Sequence, residues 1–297
     1  MPHVMFLGMY QNNDSLSLCS VSMILFCWVN GYEQKWSVSS CIQLAVSFSI
    51  ALLSYYSIYG WILMGVVFCI IAILTDSEIK NKISLILKRT ALVGSICFLL
   101  AGWFFIRNAV LHNGDFFGLV SEQISRDKLL KSGYKLIEYQ SFRNRGQSVW
   151  SFFCMKGFEW LVFTIKSFIG VFGYMTIHLP EYGYIAYFAV IGFGFLTFVI
   201  ALSYHRPDKH EKLFMLMIIL SGGITFVLHF WHSYTRDFEP QGRYIISLVL
   251  IMSYLIAYGL DKISLKIKGA LSLTAIFTMT WLILFFWVAV TVMTKML

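Results

Sequence analysis

Three polar clusters break up a strongly apolar sequence: Asn12-Asn13-Asp14, Arg107-Asn108 with Asp115, and the run Arg236-Asp237-Phe238-Glu239-Pro240-Gln241-Gly242-Arg243-Tyr244. A carboxylate such as Asp14 can bind a cation or a sugar hydroxyl. Arg107 and Arg243 each present a planar guanidinium fork suited to phosphate oxygens. Each cluster also has a structural reading. Asn12, Asn13 and Asp14 suit the free N–H groups at a helix start, and Arg107, after Trp103-Phe104-Phe105, can extend to a lipid phosphate. In the third cluster Pro240 and Gly242 set a turn, Gln241 offers amide donors and acceptors, and Arg243 is expected at the start of a span, where its charge opposes the positive helix end. An anchoring arginine would sit better at the other helix end, so this cluster points to a ligand.

Other chemistry finds less support. His229 and His232 are three apart and share a helix face, but no further ligand follows at metal-site spacing. No Walker-type loop, GxGxxG, HExxH or GxSxG occurs, which argues against nucleotide hydrolysis, dinucleotide redox chemistry and the common hydrolases. The six cysteines, Cys19, Cys27, Cys41, Cys69, Cys97 and Cys154, form no CxxC pair and read as small hydrophobes rather than a disulfide framework or zinc site.

The elements around these clusters are set by composition. Hydrophobic residues make up 58% and charged residues 13%, with a mean hydropathy of +0.72, far from the balance of soluble domains. Aromatic residues reach 18%, as fits lipid-water boundaries. The net charge of +8 lies mostly in short connections, which favours membrane topology and lipid phosphate over nucleic acid. Apolar windows predict an all-α polytopic transmembrane bundle with spans at Ser15–Val29, Ser39–Leu53, Tyr59–Leu74, Thr90–Ile106, Tyr182–Tyr204, Leu213–Phe230, Tyr244–Leu260 and Ala270–Met293, about eight crossings. The second and third, short and close together, also fit a half-buried hairpin. Met1 to Gln11 lacks the basic n-region of a signal peptide.

Loop charge orients the bundle. Lys35, then Lys80, Lys82, Lys88 and Arg89, then Arg206, Lys209 and Lys212, then Lys262, Lys266 and Lys268 mark the cytoplasmic side, against Arg236 and Arg243 on the other. The segment from Arg107 to Pro180 then lies outside, with Trp150 to Pro180 read as an interfacial helix. The chain divides into N-terminal spans (1–106), an extracytoplasmic loop (107–180) and C-terminal spans (181–297), in one integral membrane domain.

Taken in order, Pro2 to Leu16 (PHVMFLGMYQNNDSL), Gly102 to Gly118 (GWFFIRNAVLHNGDFFG), Ser167 to Pro180 (SFIGVFGYMTIHLP) and Gln241 to Ser247 (QGRYIIS) resemble a family of bacterial polytopic membrane proteins of undefined biochemistry, related to the GT-C membrane glycosyltransferases. Members of GT-C typically pass a sugar from a polyprenyl-phosphate or polyprenyl-diphosphate carrier to an acceptor on the outer side of the membrane. The resemblance implies Asp14 as the candidate acidic residue of the catalytic site, Arg243 and Arg107 as holders of carrier phosphate, and Asn13, Asn108, Asp115, Glu239, Gln241 and Tyr244 as substrate-binding residues. A divalent cation is the candidate cofactor, although no ligand pattern in the sequence marks one. The partners implied are membrane lipids and a polyprenyl-linked sugar, in a bacterial inner membrane. GT-C enzymes usually carry their main carboxylate in a first external loop ahead of the segment matched here, and relatives place a Thr-Lys pair where this chain has Ser54-Tyr55-Tyr56. The chain is therefore expected to be the carboxy-terminal part of a longer family member, truncated or inactive on its own. The alternatives are a transporter or polymerase partner for lipid-linked glycans, which binds phosphate without sugar transfer, and a membrane scaffold whose external loop docks partners.

Overall fold

The computed structural model describes residues 1–9, 12–131, 141–173, 175–236, 238–265 and 270–296. The helices are α1 (Pro2–Gly8), α2 (Asn13–Glu33), α3 (Val38–Ser54), α4 (Tyr59–Thr75), α5 (Lys82–Leu111), α6 (Leu119–Lys131), α7 (Val149–Cys154), α8 (Glu159–Gly170), α9 (Glu181–Tyr204), α10 (Lys209–Thr235), α11 (Leu248–Ser264) and α12 (Ala270–Met296). Two short strands, β1 (Val171–Phe172) and β2 (Ile177–His178), form one antiparallel hairpin.

Among the described residues, six helices are long and apolar enough to cross a membrane, over Asn13–Glu33, Tyr56–Thr75, Lys82–Leu111, Glu181–Tyr204, Lys209–Thr235 and Leu273–Val292. In lipid a helix satisfies its own backbone N–H and C=O groups, which suits sequences this apolar. The helices expected as the second and seventh spans, α3 and α11, are 17 residues each. Tyr244 is not part of the latter: it belongs to a 3-10 turn, Gly242–Ile245, and α11 starts only at Leu248. The single interfacial helix expected over Trp150 to Pro180 is instead α7, α8 and the hairpin. Gly157 and Phe158 take left-handed backbone (φ 70° and 64°) and break the run between α7 and α8, a conformation that helices of L-residues do not continue through.

The chain packs as two compact units, neither contiguous in sequence: residues 1–15, 155–223 and 240–297, and residues 16–154 and 224–239. In the first unit, α9 packs against α11 and α12. Glycine permits this approach: a Cβ on Gly259 would lie 2.4 Å from the Phe198 backbone nitrogen, and one on Gly194 would lie 2.8 Å from Ile256. Small residues let helix backbones come together where lipid supplies no hydrophobic drive. Ile169, Val171, Phe172, Leu179, Tyr184, Tyr187 and Val288 form a buried cluster under the hairpin. Tyr184 ties it together, its hydroxyl donating to the Gly170 carbonyl at 2.9 Å and accepting from the Leu179 N–H at 3.3 Å. Glu211, near the start of α10, meets His205 at 3.5 Å, Lys262 at 3.4 Å and the Tyr258 hydroxyl at 3.2 Å, which gathers the end of α9 and the end of α11 around it.

The second unit is held by aromatic side chains. Trp28 stacks on Phe68 at 5.0 Å and lies 6.3 Å from Trp61, while Gly65 leaves room for the Phe48 ring. Ser37 caps α3 by accepting from the Ser40 N–H at 3.2 Å. Lys35, before α3, bonds to Glu78, before α5. A second aromatic group joins Phe142, Phe152, Phe238, Phe230 and Tyr234, with Phe142 and Phe152 4.8 Å apart.

Candidate functional site

The first unit brings Asp14, Arg243 and Tyr244 together and adds His3, which the sequence reading passed over. Asn12 takes the capping role at the start of α2. Its Oδ1 accepts from the Ser15 N–H at 2.9 Å, and its Nδ2 donates to the Leu7 carbonyl at 2.6 Å. Asp14 is thus not needed as the cap. It is buried, 3% exposed, with the Arg243 guanidinium in electrostatic reach. Asn13 begins α2 on the exposed side.

Arg243 is positioned by the backbone before it. The Gly242 N–H donates to Ser167 Oγ of α8 at 3.0 Å, and a Cβ on Gly242 would fall 2.1 Å from the Phe168 nitrogen. Only glycine lets the 3-10 turn lie against α8 this closely. Arg243 then folds over its neighbour: its Cζ is 4.8 Å from the Tyr244 ring centroid, and its Nη2 donates to the Tyr244 hydroxyl at 2.8 Å. A guanidinium held this way keeps one orientation and its charge. Because Arg243 sits in the 3-10 turn, ahead of α11, the expected conflict with that helix's positive end does not arise. Gln241 is extended, half-buried, and accepts from the Tyr244 N–H at 3.4 Å.

His3 is on α1, buried and 6.2 Å from Phe6 between ring centroids. Burial pushes its imidazole down to about 4, the Arg243 charge adds to that, and an interaction with the Val171 backbone opposes it. At neutral pH the imidazole is uncharged. It leaves Arg243 as the cation beside Asp14 and can exchange hydrogen bonds with a neutral hydroxyl. One local signal could have drawn attention here: Pro2 opens a helix at its preferred first position, which gives His3 a fixed place. Nothing in the local sequence marks Ser167.

The remaining candidates belong to the second unit. Arg107 is exposed on α5. Asn108, beside it, is buried, donates from Nδ2 to the Phe116 carbonyl at 3.4 Å and accepts the His112 N–H on its carbonyl at 2.9 Å. Asp115 caps α6, accepting from the Leu119 N–H at 3.0 Å and the Ser121 N–H at 2.8 Å. Those backbone bonds, Ser121 foremost, hold its carboxyl below the usual range. Glu239 accepts from Ser233 Oγ on its backbone carbonyl at 3.3 Å. Arg236 pairs with Glu122 at 3.6 Å, and His232 lies 5.5 Å from Tyr56 between ring centroids. The cluster read as one stretch from Arg236 to Tyr244 is therefore divided between the units. Asp237 within it, and Lys266 and Lys268 of the basic loops, lie outside the described residues. Among the described residues no three His, Cys, Asp or Glu side chains form a metal-ligand group.

No protein-family model, curated protein or solved structure matches this chain.

Proposed function

We propose that the protein spans a bacterial inner membrane and acts at the extracytoplasmic ends of its helices as a GT-C-like glycosyltransferase, using a polyprenyl-phosphate-linked sugar in cell-envelope polysaccharide assembly. The observation that carries this reading is the meeting of buried Asp14 and neutral His3 with an Arg243 fixed on Tyr244. A carboxylate, a neutral imidazole and an oriented guanidinium are what a sugar hydroxyl and a departing phosphate ask for. In the reaction the acceptor hydroxyl gives its proton to Asp14 as its oxygen bonds to the anomeric carbon. The anomeric C–O bond to the carrier breaks, and its electron pair leaves on the phosphate, whose charge Arg243 offsets. Neutral His3 orients a sugar hydroxyl.

The topology we favour has about eight crossings, with α3 and α11 at the short limit of a span, and with 107–180 outside. Two groups of contacts, each joining connections that the loop charge puts on one side, support that grouping. Lys35 and Glu78 join the connections after α2 and after α4, while His205, Glu211 and Lys262 join three helix ends within the first unit.

The test uses the full chain reconstituted in liposomes with a labelled polyprenyl-phosphate sugar, reading donor binding and sugar transfer together, for the wild type and Arg243→Ala. Loss of both in the variant is expected. Wild-type donor binding and transfer left unchanged by Arg243→Ala would remove Arg243 from the site, and donor binding without transfer in the wild type would favour a carrier-binding partner over an enzyme.

A further inference from the structure

A turn outside the Arg243 site presents two arginines next to exposed apolar side chains, and it is fastened to the end of a candidate membrane span. Residues 141–154 of the second unit form a tight turn followed by α7. The Tyr234 hydroxyl, in the last turn of α10, donates to the Gln147 carbonyl at 2.7 Å, and the Arg143 N–H donates to the Tyr234 carbonyl at 3.3 Å. Phe142 and Phe152 are buried on the same side, against Phe238, Phe230 and Tyr234. What faces outward is Arg143, Asn144, Arg145 and, immediately afterwards, Val149 and Trp150, the last 71% exposed.

The charge of this stretch of sequence is one-sided. No Asp or Glu occurs from Ser141 to Cys154. Among the described residues the Arg143 guanidinium has no ion-pair partner, while that of Arg145 lies 5.4 Å over the Phe142 ring and keeps its charge. The height of the turn is also constrained, because α10 is apolar enough to cross a membrane and its end is where hydrocarbon gives way to headgroups. Trp231, 51% exposed on the same helix, marks that boundary. A tryptophan suits the interface and an adjacent arginine pair suits phosphate.

We propose that the turn 141–154 is a docking surface for anionic phospholipid headgroups, with Trp150 and Val149 entering the interfacial layer and Arg143 and Arg145 binding the headgroup phosphate. The inference goes beyond the sugar-transfer reading and uses none of its residues. It rests on the membrane placement of α10 alone.

The experiment places p-benzoylphenylalanine in place of Asn144, the exposed residue between the arginines, in the full chain reconstituted in liposomes of phosphatidylcholine with labelled phosphatidylglycerol or labelled phosphatidylcholine as tracer. Photolabelling by phosphatidylglycerol is expected on the order of tenfold above that by phosphatidylcholine, the preference that two arginines near a charged headgroup give. Arg143→Gln with Arg145→Gln should bring the ratio close to one, while Arg143→Lys with Arg145→Lys should keep most of it. A second probe at Ser151, exposed on α7, gives the same comparison if the first position disturbs the turn, and an unchanged thermal midpoint shows that each variant is folded. Equal labelling by the two lipids, or a preference that survives the glutamine pair, would overturn the assignment. Displacement of the label by excess polyprenyl phosphate would overturn it too, since the surface would then belong to the carrier. Sugar transfer and donor binding at Arg243 are read separately, so either idea can fail while the other stands.

Discussion

Asp14 and Asp115 look alike in the sequence, each an acidic residue close to the start of a helix, and the two units use them in opposite ways. At Asp115 both carboxylate oxygens are taken by backbone N–H groups of α6, and Arg107 and Asn108 before it divide into an exposed arginine and a buried amide that bonds to backbone. At Asp14 the cap is supplied by Asn12, which leaves the carboxylate buried beside Arg243. The same residue types thus build a helix start in the second unit and a buried carboxylate within electrostatic reach of an arginine in the first. The difference comes from one neighbour: where a second polar side chain takes the N–H groups, the carboxylate is released for other chemistry.

The comparison can be broken most severely at a glycine beside each group. Gly242→Ala drives a Cβ into the Phe168 backbone and should cost more than about 4 kcal/mol, or prevent recovery of folded protein. Gly118→Ala, with φ +72° but open space around it, should cost about 1 kcal/mol from backbone strain alone. Thermal unfolding of both variants in detergent checks this, and similar midpoints would mean that the 3-10 turn is not locked to α8.

A pH series separates the units next. His3 is held at about 4 against an ordinary 6.5, so between those values the folded chain binds fewer protons than the unfolded one. Its contribution to stability is complete above about pH 6.5 and is lost as pH falls toward 4, by about 3 kcal/mol. His3→Gln should flatten that part of the profile, and an unaltered slope would place the imidazole in water. Asp115, its carboxyl depressed, gives a change of the same sign at lower pH, lost as pH falls through its folded value.

Ligand binding sharpens the contrast between the arginines. Arg243→Gln should weaken polyprenyl-phosphate binding by about 2 kcal/mol, roughly thirtyfold, as the loss of a charged hydrogen bond to phosphate does. Arg107→Gln should change it by less than about threefold, the range of an exposed charge. Equal losses in the two titrations would give Arg107 the same part in phosphate binding as Arg243. The smallest effect belongs to Asp115→Ala, which should raise amide exchange in the first turn of α6 several-fold, as removal of a cap does, while leaving binding unchanged. Hydrogen exchange followed by mass spectrometry reads it directly.

Much of the architecture was legible without coordinates, because a run of about 20 apolar residues leaves the chain few choices in lipid. Of the expected spans, the helices around 15–29, 59–74, 90–106, 182–204, 213–230 and 270–293 are long and apolar enough to cross. The break at Gly157-Phe158, the hairpin from Val171 to His178 and the 3-10 turn at Gly242 were not legible. Each depends on backbone torsions or on a contact with a distant element, and apolar periodicity carries neither. The candidate site was legible in part: Asp14, Arg243 and Tyr244 stand out by type, whereas His3 and Ser167 join them only through folding.

By itself, then, the sequence determined a set of apolar helices, the loops between them that carry basic charge, and the short polar clusters where chemistry could reside. Composition and segment length decide these, since the transfer of apolar surface out of water is a local property of each segment. Only the tertiary structure decided which polar residues share a site. It divided the 236–244 cluster between two units, gave Asp115 to a helix start and Asn12 the cap that frees Asp14, and set Arg243 against Tyr244, because directed hydrogen bonds choose among nearby groups and because the turn that carries Arg243 rests on Ser167 and Phe168, far from it in the chain.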